Sequence, residues 1–140
     1  MGVRINISYT GELRCSAIHG PSRTELLTDA PVDNCGKGES FSPTDLVATA
    51  LASCVLTTMA IYADRHGVDL RGSTATVEKE MVATPTRRIG KLTTQVTIPL
   101  SADHPQRAAL ERVALMCPVH QSLHPDVEAP VMFTWSGVEK

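Results

Sequence analysis

Residues 46–63 read LVATALASCVLTTMAIYA, an 18-residue stretch that carries no formal charge and has Cys54 in its middle. Ser42-Pro43-Thr44-Asp45 directly precede it and form a helix start signal. The Ser42 hydroxyl can accept from an amide three residues on, Pro43 suits the first helical position, and Asp45 favours the positive end of a helix. Gly67 then marks the expected helix end. The stretch predicts one long apolar helix.

A membrane span is the alternative for this stretch, because 18 apolar residues lie at the lower edge of what a bilayer core requires. Threonine and serine interrupt the apolar residues, and neither a basic flank nor an aromatic belt borders them. We therefore expect a core helix of a soluble protein and no membrane partner. One face at helical spacing holds Val47, Ala50, Leu51, Cys54, Thr58, Ile61 and Tyr62. This pattern predicts that this face is buried and that Cys54 lies inside.

Short strands are predicted on both sides of the helix. Residues 3–9 alternate apolar and polar side chains, which predicts a strand with one buried face, and 13–18 and 25–28 are weaker strand candidates. Residues 29–40 are dense in turn formers and are expected to form a surface loop. The remaining predictions are a hairpin of strands 73–82 and 91–98, a second helix over 105–116 and a last strand over 131–135.

Two of the four cysteines have distinctive surroundings: Cys54 in the apolar helix, and Cys117, which Pro118-Val119-His120 follow. Pro118 cannot continue the preceding helix, so the chain either stops there or restarts with Pro118 as the first residue of a new turn. In the second case Cys117 would cap that turn, with free amides directed at its sulfur. Cys15 and Cys35 have no partner motif and are expected to be incidental. The chain of 140 residues can fold as one domain over 1–140 without a covalent staple.

Charge and N-terminal composition argue against several function classes. The net charge is -2, and no run of lysine or arginine exceeds the pair Arg87-Arg88, so a nucleic-acid partner is not expected. The first residues contain no apolar signal segment, and the cysteines show no close spacing pattern. This argues against a secreted disulfide scaffold and favours the reducing cytoplasm.

Metal binding is the main alternative use of Cys117. With His120 it forms a C-x-x-H half-site, to which His124, His104 or His19 could add ligands. A closed zinc site usually has a second close-spaced pair, which the sequence lacks, so we expect neither a metal nor another cofactor. A Cys-His acyl hydrolase is disfavoured as well, because no orienting acid is evident.

Several segments together resemble the OsmC/Ohr superfamily of osmotically induced and organic hydroperoxide resistance proteins. They are 41–54 with Cys54 at the end, 117–120, the segment 28–34 with the Gly36-Lys37-Gly38 turn, and 87–89. The resemblance extends from about residue 5 to 135. It implies an α+β, OsmC-like two-layer fold with antiparallel sheets packed around long central helices. It also implies an intertwined homodimer with its active site at the interface.

The resemblance further implies a thiol-dependent peroxidase that reduces organic hydroperoxides and is regenerated by a dithiol reductant, in some members a lipoylated protein. Cys54 matches the attacking cysteine and Cys117 the resolving one. Apolar side chains near Cys54, namely Val47, Leu51 and Val55, would favour organic hydroperoxides over hydrogen peroxide. The alternative is a non-catalytic OsmC-like dimer that binds a small apolar ligand or senses oxidation.

A thiolate needs a positive charge beside it, because the thiolate is the nucleophile. Arg14 is the best match to the family's arginine, and Arg23 is the reserve candidate. The glutamate that holds this arginine, ten residues before the cysteine, is replaced here by Thr44. Asp45 lies one place further on, where a helical side chain is turned by about 100°. His120 could donate a proton to the leaving oxygen.

Overall fold

The computed structural model describes residues 2–138, and the chain divides into two compact units, one up to Val47 and one from Ala48 onward. The first unit contains β1 (Ile5–Gly11), β2 (Arg14–His19), β3 (Glu25–Asp29) and a 3-10 helix (Val32–Asn34). Helix α1 (Pro43–Arg65) begins there and runs on into the second unit. The second unit continues with β4 (Thr74–Val82), β5 (Arg88–Ile98), α2 (Arg107–Ala114), α3 (Pro118–Ser122) and β6 (Val131–Trp135). The predicted α+β class is confirmed.

The first unit is an antiparallel meander in the order β1-β2-β3. Glu12 and Leu13 connect β1 to β2, and both have positive φ, as the central residues of a tight hairpin turn do. The prediction that one face of β1 is buried is wrong for the single chain, because Ile5, Ile7 and Tyr9 are each more than half exposed. Strand alternation gives a sheet an apolar face, but it does not supply the surface that covers it.

The sheet of the second unit has the order β4-β5-β6. Its β4–β5 hairpin is antiparallel, whereas β6 pairs with β5 in parallel, so this sheet is mixed rather than purely antiparallel. Strand β5 starts at Arg88, before the predicted Lys91, because a bulge keeps the pairing in register past Gly90. A Cβ atom at Gly90 would lie 2.5 Å from a methyl group of Val82, so this close approach requires glycine.

Helix α1 supplies the core of the second unit, although not through the predicted face. Its buried side chains recur at helical spacing on another side: Ala48, Leu51, Ala52, Val55, Met59 and Ala63. All of these except Ala52 form one cluster with side chains of β5 and α2 such as Leu92, Val96 and Leu110. The predicted buried face is wrong except at Leu51, because Ile61 is 51% exposed and Cys54 is only half-buried. Because α1 is apolar nearly all round, the spacing of its apolar residues does not identify which face is buried.

Local signals set both ends of α1. At its start, the backbone N–H of Asp45 donates to Ser42 Oγ (3.1 Å), and the backbone N–H of Ser42 donates to the Asp45 carboxylate (2.9 Å). This is a reciprocal capping box. At its end, Gly67 takes φ +66° and the N–H of Val68 donates to Ala63 O. By length and composition α1 could also cross a bilayer, a test that core helices of soluble proteins pass as well.

Candidate active site

Cys117 stands at the junction of α2 and α3, and the second of the two predicted arrangements is the one observed. The chain restarts at Pro118, and Cys117 is the N-cap of α3 with an extended backbone. The backbone N–H of His120 donates to Cys117 Sγ at 3.3 Å. Cys117 is fully buried and belongs to the same apolar cluster as Leu51 and Val55 of α1.

The Cys54 thiol interacts with the Cys117 thiol and packs against the buried cluster that contains it, although 63 residues separate the two cysteines in the sequence. Helix α1 holds Cys54 halfway along its length, with the Thr58 hydroxyl 3.9 Å from its sulfur. Both thiols are free, and Cys54 is the more accessible of the two. The pair thus combines a partly accessible thiol with a buried one.

The surroundings of Cys117 favour its protonated form. Burial raises the pKa of the Cys117 thiol above its ordinary value of 9.0, and contact with Cys54 raises this pKa further. The backbone N–H of His120 acts in the opposite direction, because a hydrogen-bond donor stabilises the thiolate. Cys117 is therefore a thiol at neutral pH, with an amide donor already in place for the moment when it loses its proton.

Arg14 lies at the start of β2, where it meets two carboxylates of its own unit. Its Nη2 atom is 2.6 Å from Glu39 Oε2 and 3.5 Å from Asp29 Oδ2. Asp29 is almost fully buried, whereas the Glu39 side chain is 61% exposed. Among residues 2–138, Arg14 Nε and Asp29 Oδ1 are buried and have no hydrogen-bond partner. The guanidinium is thus bound through Nη2, whereas its Nε–H has no acceptor among residues 2–138.

The loop after β3 delivers Glu39 to this position. Asp29 Oδ2 accepts from the backbone N–H of Glu39 at 3.0 Å, and Gly38 N donates to Ala30 O. The hydrogen bond from Glu39 N lowers the pKa of Asp29, and the Arg14 charge lowers this pKa further. Sequence reasoning treated residues 29–40 as a surface loop and missed Asp29 and Glu39, because their pairing with Arg14 depends on the β2–β3 register.

The other predicted supporting residues have local roles in the structure. The Asp45 carboxylate completes the capping box of α1, and the Thr44 hydroxyl lies 3.2 Å from Ser42 Oγ. Arg23 lies in the β2–β3 turn with φ 66°, at the opposite end of β2 from Arg14. The five residues of strand between those ends span about 17 Å.

His120 is fixed through its ring rather than left free to move. Its Nε2 atom lies 3.2 Å from the carbonyl oxygen of Ala129, which can only accept, so Nε2 carries the proton of this hydrogen bond. This contact ties α3 to the segment that leads into β6. The proton that would be donated to a leaving oxygen is therefore engaged elsewhere.

The remaining cysteines, Cys15 and Cys35, belong to the first unit. Cys15 lies in β2, where its N–H donates to Thr28 Oγ1, and Cys35 is exposed after the 3-10 helix. Within residues 2–138, no three histidine, cysteine or acidic side chains are grouped so as to hold a metal ion.

Comparison with known proteins places this geometry in a family. The profile of a family described as OsmC-like protein matches residues 36–130. A solved structure of a candidate osmotic stress induced and detoxification response protein from Psychrobacter arcticus 273-4 is 46% identical, with a TM-score of 0.87. That match covers 93% of this chain and 94% of the other. No functionally curated protein matches the chain significantly.

More distant structures share the fold. The organic hydroperoxide resistance protein OsmC from Legionella pneumophila is 16% identical with a TM-score of 0.77, over 96% of this chain and 97% of that one. A candidate organic hydroperoxide resistance protein from Vibrio cholerae, with captopril bound in one of its active sites, is 18% identical with a TM-score of 0.72. That match covers 99% of this chain and 93% of that one. The family profile and the full-length relative at 46% identity show that this chain belongs to the OsmC-like family.

Proposed function

We propose that this protein is a thiol-dependent peroxidase that reduces organic hydroperoxides through a Cys54 sulfenic acid and a Cys54–Cys117 disulfide. The observation that carries the proposal is that these two thiols are neighbours: Cys54 packs against the cluster of Cys117 and acts on the pKa of its thiol. A half-buried cysteine beside a fully buried one has the relation of an attacking thiol to a resolving thiol. The organic hydroperoxide resistance proteins among the structural relatives support the same chemistry.

The proposed reaction has three steps. The Cys54 thiolate attacks the terminal oxygen of the hydroperoxide, the O–O bond breaks, and the alkoxide takes up a proton to leave as an alcohol. Cys54 is now a sulfenic acid, which condenses with the Cys117 thiol to give a disulfide and water. A dithiol reductant then reopens the disulfide by exchange, becomes a disulfide itself and restores both thiols.

The surroundings of Cys117 suit the resolving role. Because burial raises its pKa, Cys117 stays protonated and does not compete with Cys54 for the peroxide. Once the sulfenic acid has formed, the backbone N–H of His120 can stabilise the developing Cys117 thiolate. Leu51 and Val55, both fully buried beside the thiol pair, would favour an organic hydroperoxide over hydrogen peroxide.

Arg14 is proposed to stabilise the Cys54 thiolate and to orient the peroxide. Arginine suits this role, because its charge is permanent and its donors are fixed in a plane. The carboxylates around Arg14 support this assignment, since they hold its guanidinium in one position. Arg23 lies in an exposed turn, where its backbone N–H donates to His19 O.

A homodimer is the proposed assembly. The apolar side chains of β1 and the Val47–Ile61 side of α1 are exposed in the single chain. An exposed apolar surface on either element is of the kind that usually marks an interface. The physiological reductant is proposed to be a dithiol, with a lipoylated protein as one candidate, and the cytoplasm is the proposed compartment.

A thiol titration tests the proposal. Protein treated with one equivalent of cumene hydroperoxide should lose two of its four thiols per chain and gain a Cys54–Cys117 link by peptide mass mapping. Steady-state turnover with dihydrolipoamide should then disappear in Cys54→Ser. The matched control is Cys35→Ser, which removes an exposed thiol outside the pair and should leave turnover unchanged.

Three outcomes are distinct. Loss of two thiols with turnover supports the peroxidase. Formation of the disulfide without turnover under any dithiol would indicate an oxidation sensor and overturn the catalytic assignment. No thiol loss at all would instead favour a protein that binds a small apolar ligand.

A further inference from the structure

Two neighbouring threonines of α1, Thr57 and Thr58, use their hydroxyls differently. The Thr57 hydroxyl donates to Ser53 O at 2.8 Å, the bond to the preceding turn that threonine commonly makes in a helix. The Thr58 hydroxyl makes no bond of this kind among residues 2–138 and lies 3.9 Å from Cys54 Sγ. Thr57 is exposed, whereas Thr58 is partly buried. The Thr58 hydroxyl is thus available to the reacting sulfur.

The direction of this hydrogen bond is fixed once Cys54 ionises. Between a hydroxyl and a thiol, either group can donate. A thiolate has no hydrogen, so the Thr58 O–H must then be the donor. At 3.9 Å the contact is long for a neutral pair. Hydrogen bonds to an ionised acceptor are shorter, so ionisation of Cys54 should draw the hydroxyl closer.

Within the second unit, few groups can stabilise a negative charge on Cys54. Because residues 46–63 carry no charge, the nearest charged side chain on the same helix is more than about 12 Å away along its axis. The buried side chains of β5, which belong to the core against which Cys54 packs, are uncharged. The titratable neighbour is Cys117, whose thiol is a weak donor. Thr58 therefore offers a stronger donor than Cys117 does.

We propose that Thr58 is a catalytic residue of the peroxidase reaction: its hydroxyl donates a hydrogen bond to the Cys54 thiolate and keeps its proton while the sulfur attacks the hydroperoxide. This inference rests on the proposed function. It depends on a contact inside a single helix, since Thr58 follows Cys54 by about one turn. Thr58 gives up no atom, so the balance of the three reaction steps is unchanged.

The test is the rate of Cys54 alkylation by iodoacetamide in the wild type and in Thr58→Val, followed by peptide mass mapping across the range in which thiols ionise, about pH 6 to 10. Valine has nearly the shape of threonine but no hydroxyl. Loss of a hydrogen bond to a charged atom should lower the thiolate fraction about tenfold at neutral pH, whereas the remaining thiolate becomes about threefold more nucleophilic. Thr58→Val should therefore react about threefold more slowly at neutral pH. At high pH, where the thiol is ionised in both proteins, it should equal or overtake the wild type.

Two further variants and a turnover assay accompany this test. The matched control is Thr57→Val, which removes the hydroxyl at the adjacent position of the same helix and should leave the alkylation profile unchanged. Thr58→Ser keeps the hydroxyl and should retain the wild-type profile, which guards against a folding defect in Thr58→Val. With dihydrolipoamide as reductant, kcat/KM for cumene hydroperoxide should fall about threefold in Thr58→Val at neutral pH, for the same reason as alkylation.

The outcomes separate this inference from the proposed function. A wild-type profile in Thr58→Val, an equal slowing in Thr57→Val, or an equal slowing in Thr58→Ser would each overturn the role of Thr58 while leaving the peroxidase intact. Slowing by one factor at every pH would indicate altered access to Cys54 rather than altered ionisation, and would also overturn it. If the wild-type protein has no turnover, the peroxidase fails, and the alkylation profiles still decide whether Thr58 stabilises the thiolate.

Discussion

Truncating Leu51 should destabilise the fold of the single chain, whereas truncating Ile61 should weaken the proposed dimer, although both are aliphatic residues of α1. Leu51 is fully buried in the core of the second unit, whereas Ile61 is 51% exposed. Leu51→Ala removes buried methyl groups and leaves a cavity, which costs about 3–5 kcal/mol of unfolding free energy. Because this core lies within one chain, the loss should not depend on protein concentration.

For Ile61→Ala the magnitude depends on the proposed homodimer. Full burial of an isoleucine side chain is worth about 1.5–3 kcal/mol, so covering its exposed half contributes about 1 kcal/mol per subunit. In a two-fold dimer the residue occurs twice, which gives about 2 kcal/mol and a dimer dissociation constant about thirtyfold higher. The effect on stability should therefore be largest at high protein concentration and shrink as dilution makes both forms monomeric.

Urea unfolding at two protein concentrations and sedimentation equilibrium measure both effects. The reasoning is refuted if Leu51→Ala costs less than about 1 kcal/mol, or if Ile61→Ala is as costly as Leu51→Ala at every concentration. An unchanged dissociation constant in Ile61→Ala would show that this side of α1 does not form the dimer interface.

Three further predictions concern pH and the loop after β3. Because the pKa of Cys117 is raised in the folded state, its thiol contributes stability that is fully present below about pH 9 and lost as the pH rises beyond it. The unfolding free energy, measured with urea from about pH 7 to 10.5, should therefore fall less steeply with pH in Cys117→Ser than in the wild type. Equal slopes would contradict this. Hydrogen bonds from Arg71 lower the pKa of Asp69 to about 2, so the wild-type unfolding free energy should fall as the pH drops from about 4 to 2. In acid unfolding monitored by circular dichroism, Asp69→Asn should lack this part of the pH dependence. A Cβ atom at Gly36 would lie 1.7 Å from Ala30 O, so Gly36→Ala should displace the loop and lower the melting temperature, whereas Gly2→Ala, which meets nothing within 4 Å, should not; equal melting temperatures would refute the close contact.

The parts of the fold that follow from local chemistry could be predicted from the sequence. Ser42 and Asp45 lie three residues apart, so their capping box depends on the helix start alone. Gly67 ends α1 for an equally local reason, its positive φ. The cap at Cys117 was one of two alternatives that Pro118 allowed, since proline fixes the geometry of the first helical residue.

Features that depend on distant partners could not be predicted in this way. Strand periodicity is the same for parallel and antiparallel neighbours, so the parallel pairing of β6 with β5 has no sequence signal. The buried side of α1 is chosen by the sheet against which it packs, because apolar residues surround the helix. The contact of Arg14 with Glu39 spans 25 residues and needs the strand register as well as the loop geometry.

The sulfur of Cys117 caps α3, so under the proposed chemistry the disulfide would also affect the local order of this helix. A disulfide sulfur is bonded to a second sulfur and is a poorer acceptor for the His120 amide than a thiol or thiolate is. Helix α3 has only five residues and none of them is fully buried, so loss of the cap weakens its first turn even though the His120 ring keeps its contact with Ala129 O. Oxidation should therefore fray residues 118–122, and faster deuterium uptake at the His120 amide would distinguish the oxidised cysteine pair from the reduced one.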